Sequence, residues 1–232
     1  MKSHVFPEWL HGPLYANKRR FFDLRTFELK RRGTPPKVIY EELLCRECEQ
    51  QFNKWEGYAH EVFFGNDPSI KIRDCGDRFD LTGLEYAPFK LFQMSLIWRA
   101  ATSSSPEVPT IYLGPHTERL REMLKRERPG ESREYGALLM FPSPSIQKVM
   151  EHFFEPPKRL SGRTQGHTAY KAVFGGLFWT FFVSNHSEML PDELFFARNG
   201  RLPVFKYELP TTGFIGEFER YLSSLDPLDD QK

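Results

Sequence analysis

Residues 49–64 carry the clearest periodic signal in the chain. Phe52, Trp55, Ala59, Val62 and Phe63 recur at three- and four-residue steps, which places them on one face of a helix. Gly-Asn-Asp-Pro (65–68) stops that helix and marks a boundary. Residues 87–104 are apolar on nearly every side, as expected of a buried central helix. Residues 115–130 read as an amphipathic surface helix closed by Pro-Gly, with Thr117 able to cap its first turn.

Strand signals lie on either side of these helices. Residues 69–83 look like two short strands about a Cys-Gly-Asp turn. Residues 135–141, 168–174, 177–184, 193–200 and 203–209 are β-branched and aromatic, and Gly175-Gly176 and 198–201 are turn sequences between them. Nearer the start, 7–15 predicts a short helix opened by Pro7, 19–27 a strand and 30–37 a loop. Residues 215–225 predict a last helix ahead of an acidic tail. The pattern as a whole is α+β, with antiparallel strands concentrated late and the chain divided into 1–65 and 66–232.

Composition narrows the class. A chain of 232 residues with 22 Phe, 9 Tyr and 4 Trp has ample material for a core and does not resemble a disordered sequence. Lys plus Arg number 32 against 31 Asp plus Glu, so net charge gives no case for nucleic acid. The basic residues are nonetheless concentrated early, at Lys18, Arg19, Arg20 and 30–37, where nucleic-acid contact is an option; a solvated face is the plainer reading of such a run. Three cysteines make no secreted disulfide framework and point to a reducing, cytoplasmic compartment. The longest apolar run, 173–183, is too short to cross a bilayer as a helix, so no membrane partner is expected.

Two stretches carry candidate chemistry. Cys45 and Cys48 have the Cys-x-x-Cys spacing that lets two thiolates grip one zinc, although a structural zinc needs four ligands. Two small buried residues at the head of a helix would explain that spacing equally well. A thioredoxin-like redox pair is disfavoured by the lack of a βαβ context and by Glu47 between the thiols. His4 stands in Ser-His-Val-Phe-Pro, where a histidine is ordinarily surface or packing.

Taken together, His-x-x-Pro and the later Leu-Leu-Cys-x-x-Cys-Glu resemble the HNH endonuclease motif, a ββα-metal module on a zinc knuckle. The stretch from residue 2 to 60 is also similar to a group of uncharacterised bacterial proteins with a Ser-His-Ile-Ile-Pro-Glu opening. The resemblance implies His4 as the general base that activates water. It implies Cys45 and Cys48 as structural zinc ligands, and Glu49 as a ligand of a catalytic magnesium or manganese. It further implies residues 1–65 as the module, a larger α+β region after it, and nucleic acid as substrate.

The sequence also departs from the motif. Ser3 replaces a common metal-binding Asp, Tyr40 stands near the position of an orienting Asn, and Glu49 replaces a His or Asn. The family's first Cys-x-x-Cys pair has no counterpart before His4. This implies a start upstream of Met1, a degenerate knuckle that lacks half its zinc ligands, or replacement ligands drawn from His11, His60 and Cys75. A non-catalytic interaction protein that keeps the knuckle as scaffold is the alternative.

Elsewhere the expectations are structural. Glu56 and Glu61 read as solvated, and His116 as part of an exposed helix start. Arg163, Thr164, Gln165 and His167 form a polar loop with no phosphate-loop pattern, and Asn185 and His186 follow a strand.

Overall fold

The computed structural model describes residues 3–11, 21–23, 28–30, 39–65, 67–142, 154–160, 168–183 and 190–207. Among these residues the fold is α+β: three α-helices packed with a seven-stranded mixed sheet. No helix among them is long and apolar enough to cross a membrane.

Two short strands, β1 (Ser3–His4) and β4 (Tyr40–Glu41), pair antiparallel with Ser3 opposite Glu41 and His4 opposite Tyr40. A second ribbon joins β2 (Phe21–Asp23) to β3 (Glu28–Lys30), where 19–27 predicted a single strand. The helix expected over 7–15 is one 3-10 turn at Glu8–His11, opened as predicted beside Pro7.

Helix α1 (Arg46–Phe64) starts three residues before the periodic signal, because Cys45 caps it and Glu47 and Glu49 favour its positive end. Phe52, Trp55 and Ala59 are buried as their spacing required, and Val62 and Phe63 pack at the edge of the same core. Helix α2 (Tyr86–Thr102) is buried without interruption from Phe89 to Ala100. Helix α3 (His116–Lys125) lays Leu120, Met123 and Leu124 onto the core. Pro115, not Thr117, occupies its N-cap position, with no side-chain cap.

The large sheet runs β5 (Lys71–Asp74), β6 (Arg78–Thr82), β11 (Leu202–Tyr207), β7 (Ala137–Pro142), β10 (Leu177–Phe182), β9 (Ala169–Phe174), β8 (Glu155–Arg159). Only β11 and β7 are parallel, so the last strand enters the middle of the sheet instead of extending it. Gly175 and Gly176 both have positive φ, 64° and 75°, and close the β9–β10 hairpin with Phe174 opposite Leu177.

Two strand expectations fail. Residues 193–200 predicted a strand, but they hold part of a 3-10 turn (Asp192–Leu194) and the turn at Gly200, where φ is 81°. Phe195 and Phe196 are apolar because they enter the core, not because they pair. The edge strand β8 went unpredicted because Pro156 and Pro157 fill its centre. Proline lacks the N–H for a central ladder, and β8 is an edge strand with a register shift between Glu155 and Lys158. Residues 12–20, 31–38, 161–167 and 184–189, and the helix expected at 215–225, lie outside the described residues.

One aromatic core joins these layers. The Trp179 ring on β10 lies 6.2 Å from Phe63 of α1 and 6.4 Å from Phe92 of α2, and Phe89 meets Phe196 at 5.3 Å. The N-terminal segment enters the same core: Trp9 stacks on Phe92 at 5.5 Å, and Phe6 meets Phe174 at 5.8 Å. The backbone repeats this link, since the Gly175 N–H donates to the Leu10 carbonyl at 2.9 Å.

The apolar helix α2 also buries charge. Lys90 is fully buried and donates to the carbonyls of Ser132 (2.8 Å) and Tyr135 (3.3 Å), while burial brings its pKa down to about 7. Arg99 donates through Nη1 to Glu56 of α1 at 2.5 Å and to the His4 carbonyl at 3.1 Å, and through Nη2 to Ser95 at 3.2 Å. Its side chain is 2% exposed and that of Glu56 14%, so Glu56 is a buried counter-ion and not the solvated residue its helix position suggested. Removing one member of a buried pair strands the other charge. Glu56→Gln is therefore expected to lower unfolding free energy by about 3 kcal/mol, read as an earlier urea midpoint at unchanged slope. A loss below about 1 kcal/mol would mean that the pair is screened like a surface one.

Candidate functional site

The residues singled out in the sequence fall at two places, the β1–β4 ribbon and the first turn of α1, and the tie between ribbon and helix runs through Arg99 to Glu56, further along α1. His4 lies on β1; the 3-10 turn and the β2–β3 ribbon intervene in the chain before the partner strand β4, and α1 begins five residues after Glu41. The His4 ring lies 4.5 Å from the Tyr40 ring, tilted by 44°. His4 Nε2 is buried and has no hydrogen-bond partner.

The ribbon is too short to persist on its own ladder, and side chains from α2 hold both ends. Arg99 binds the His4 carbonyl. Glu41 accepts from the Ser104 N–H (2.9 Å), the Ser104 hydroxyl (2.6 Å) and the Ser103 hydroxyl just beyond α2. Burial works to raise the Glu41 carboxyl, but the hydrogen bonds from Ser103 and Ser104 outweigh it and hold its pKa below the ordinary value. Because Arg99 also binds Glu56, the backbone of His4 is tied to α1 itself. Glu49 precedes Glu56 by seven residues, two helical turns, so the two share a side of the helix about 10 Å apart. Glu49 Oε2, like His4 Nε2, is buried without a partner.

Cys45 and Cys48 are brought together by the first turn of α1. The Cys48 N–H points to Cys45 Sγ at 3.5 Å, and the two thiols also interact with each other. Cys45 is exposed and Cys48 half-buried, and both are free thiols. The backbone N–H of Cys48 and then its thiol stabilise the charged form of Cys45 and lower its pKa. Burial, then the bond to Cys45, raise that of Cys48. Beside them a pocket of about 180 Å³ is walled by Leu44, Phe52, Trp98 and Leu124 and rimmed by Arg121 and Lys125.

The replacement zinc ligands do not gather at this pair. His60 lies twelve residues beyond Cys48 on one continuous helix, about 18 Å away along the axis. Cys75 follows β5 and donates to Asp80 at 3.8 Å. His11 is 1% exposed, stacks on Phe154 at 3.9 Å and leaves both ring nitrogens unpartnered. Among the described residues no group of three or more His, Cys, Asp or Glu is arranged to hold an ion.

Sequence reasoning passed over Arg99, read Glu56 as solvated and offered His11 only as a replacement zinc ligand, whereas Arg99 and His11 are buried and Glu56 is half-buried and paired. The signal for Arg99 was available, as a cation within an otherwise apolar helix is costly unless paired. His116, expected on an exposed helix start, is half-buried, and its Nδ1 lies 2.9 Å from the Tyr135 hydroxyl. No family model, curated protein or solved structure matches this chain.

Burial, with a smaller contribution from the His4 ring, lowers His11 from 6.5 to a pKa of about 4. A histidine whose folded value lies below its unfolded one binds fewer protons in the folded state. Its contribution is therefore intact above pH 6.5 and is lost as pH falls toward 4. The shift corresponds to at most about 3 kcal/mol. Urea midpoints of wild type and His11→Phe should separate progressively across that window, with wild type losing more stability on acidification. Parallel pH profiles would refute the assignment.

Proposed function

We propose that the chain is an HNH-like, divalent-metal-dependent nuclease acting on nucleic acid, with His4 as its general base. The observation that carries this reading is the order of elements around His4. A histidine on one strand of an antiparallel ribbon, with a helix following the partner strand, supports the ββα reading of the Ser-His-Val-Phe-Pro and Cys-x-x-Cys-Glu motifs, with the β2–β3 ribbon inserted between the two strands. His4 Nε2 makes no hydrogen bond to the protein, so its lone pair is not committed elsewhere, as a general base requires.

The donor set fits magnesium or manganese better than a caged transition metal. Glu49 offers a buried carboxylate oxygen with no protein partner. Magnesium is commonly held by one or two carboxylates, with waters and substrate phosphate completing its shell, so a three-residue cage is not required. When bound, the ion neutralises charge on the phosphate and the leaving oxygen. The protein's own contribution is to hold the His4 main chain through Arg99 and to pack its ring against Tyr40. The basic residues 18–20 and 31–37 would supply phosphate contacts, and they lie outside the described residues.

A second reading, a non-catalytic binding protein built on the same ribbon, is favoured by one observation. Ser3, which replaces the metal-binding acid of the motif, is fully buried, and a buried hydroxyl is a poor ligand for a divalent ion.

Incubating the protein with single- and double-stranded DNA and RNA separates the two. The nuclease reading expects cleavage with magnesium or manganese, abolished by a chelator and reduced at least about 100-fold by His4→Ala. Glu49→Gln should raise the metal concentration needed for half-maximal rate. Cleavage that survives His4→Ala would remove His4 from the mechanism, and binding of nucleic acid without cleavage would select the second reading.

A further inference from the structure

We propose that Cys45 and Cys48 form a redox-active dithiol that is oxidised to an intramolecular disulfide by small-molecule disulfides carrying carboxylates. The inference replaces the zinc role that the resemblance implies for these two thiols and does not depend on His4 or Glu49. It rests on three features of the helix start: two cysteines joined by the Cys48 N–H to Cys45 sulfur contact at 3.5 Å, a difference in their accessibility, and a pocket lined by cationic groups.

Thiol–disulfide exchange needs an accessible sulfur to attack and a second sulfur within reach to resolve the product. Cys45, exposed at the N-cap, is the attacking group. The Cys48 N–H already points at its sulfur, so negative charge there is stabilised by a fixed donor, and the helix start adds to that field. Cys48, half-buried one turn on, is less accessible than Cys45, and its backbone N–H meets the Cys45 sulfur. Two thiols held this way supply only half the ligands of a structural zinc, whereas they are all that a disulfide requires.

The pocket indicates the oxidant class. Its apolar walls, Leu44, Phe52, Trp98 and Leu124, accommodate the aliphatic part of a small disulfide. Arg121 and Lys125 at the rim are suited to its carboxylates. Arg121 is engaged by Glu118 at 2.5 Å and Glu122 at 2.8 Å, which leaves Lys125 as the principal cation for an incoming anion. The sequence of bonds is then fixed. Cys45 sulfur attacks one sulfur of the disulfide, whose S–S bond breaks and releases the first thiol with a proton from solvent. Cys48 gives up its proton, attacks Cys45 sulfur, and expels the second thiol. The two cysteines are oxidised by two electrons and the small disulfide is reduced to two thiols.

The test treats the full chain with oxidised glutathione, alkylates remaining thiols under denaturing conditions, and maps the products by mass. In wild type, Cys45 and Cys48 should be lost together as one linked species lighter by about 2 Da, with Cys75 still alkylated. Cys48→Ser should trap a stable glutathione adduct on Cys45, and Cys45→Ser should form adducts about tenfold more slowly. Serine caps helices well, so the Cys45→Ser helix is retained, and circular dichroism verifies it. Lys125→Glu should slow oxidation by glutathione about fivefold, with no slowing for the cationic disulfide cystamine. Adduct on Cys48 instead of Cys45, thiols that stay reduced in excess oxidant, or one zinc per chain that blocks both thiols until chelated would each overturn the proposal. Equal slowing of both disulfides by Lys125→Glu would overturn the assignment of an anionic oxidant.

Discussion

The Arg99–Glu56 pair is the constraint on which the N-terminal half of this fold depends. A guanidinium is costly to bury, and it persists where its donors meet acceptors in fixed positions. Arg99 meets three kinds: the carboxylate of Glu56 on α1, the main-chain carbonyl of His4 on β1, and the carbonyl and hydroxyl of Ser95 on its own helix. One side chain of α2 thereby sets the position of α1 and of the ribbon together. Hydrophobic packing alone would hold both elements against α2, but it is not directional. A charge-assisted network of this kind fixes register, so His4 is held at one place along α1.

The ribbon illustrates why such a device is needed. Each of its strands has two residues, far fewer than an independent hairpin requires. It persists because Val5, Phe6 and Ile39 beside it are buried, and because both ends are clamped: Arg99 at His4, and Ser103 and Ser104 at Glu41. The Gly175 N–H then secures Leu10 to the β9–β10 hairpin across the core. The N-terminal segment is thus held by tertiary contacts more than by its own secondary structure. This is the reason that the periodicity of residues 1–45 carries little information about their arrangement.

Where local physics decides, the sequence was legible. The spacing of Phe52, Trp55 and Ala59 announced α1, the unbroken apolar run announced α2, and Gly175-Gly176 announced a hairpin. Where tertiary structure decides, it was not. The stretch with Pro156 and Pro157 carried no strand signal yet occupies an edge strand, and Phe195-Phe196 read as a strand yet fill the core. The candidate site shows the same division. The contact between Cys45 and Cys48 follows from three-residue spacing on a helix start, so it could be foreseen. The tie from His4 to Glu56 passes through a residue 95 positions from His4, and no motif reports it.

The unpartnered atoms close to this network give it its chemical interest. Buried polar atoms are ordinarily satisfied, since each one left bare costs about 1–3 kcal/mol. Among the described residues Ser3 Oγ, His4 Nε2, Trp9 Nε1 and both His11 nitrogens of the N-terminal segment have no protein partner, nor do Glu49 Oε2 on α1 and the Gln93 amide and Trp98 Nε1 on α2. The neighbouring Glu41 and Glu56 carboxylates are, by contrast, engaged by serines and arginine. Poor packing does not account for this contrast, because the same segment has Val5 and Phe6 almost completely buried. Polar atoms held bare within a well-packed and clamped frame are what a preorganised site requires: the frame bears the cost in advance, and a ligand, an ion or a water recovers it.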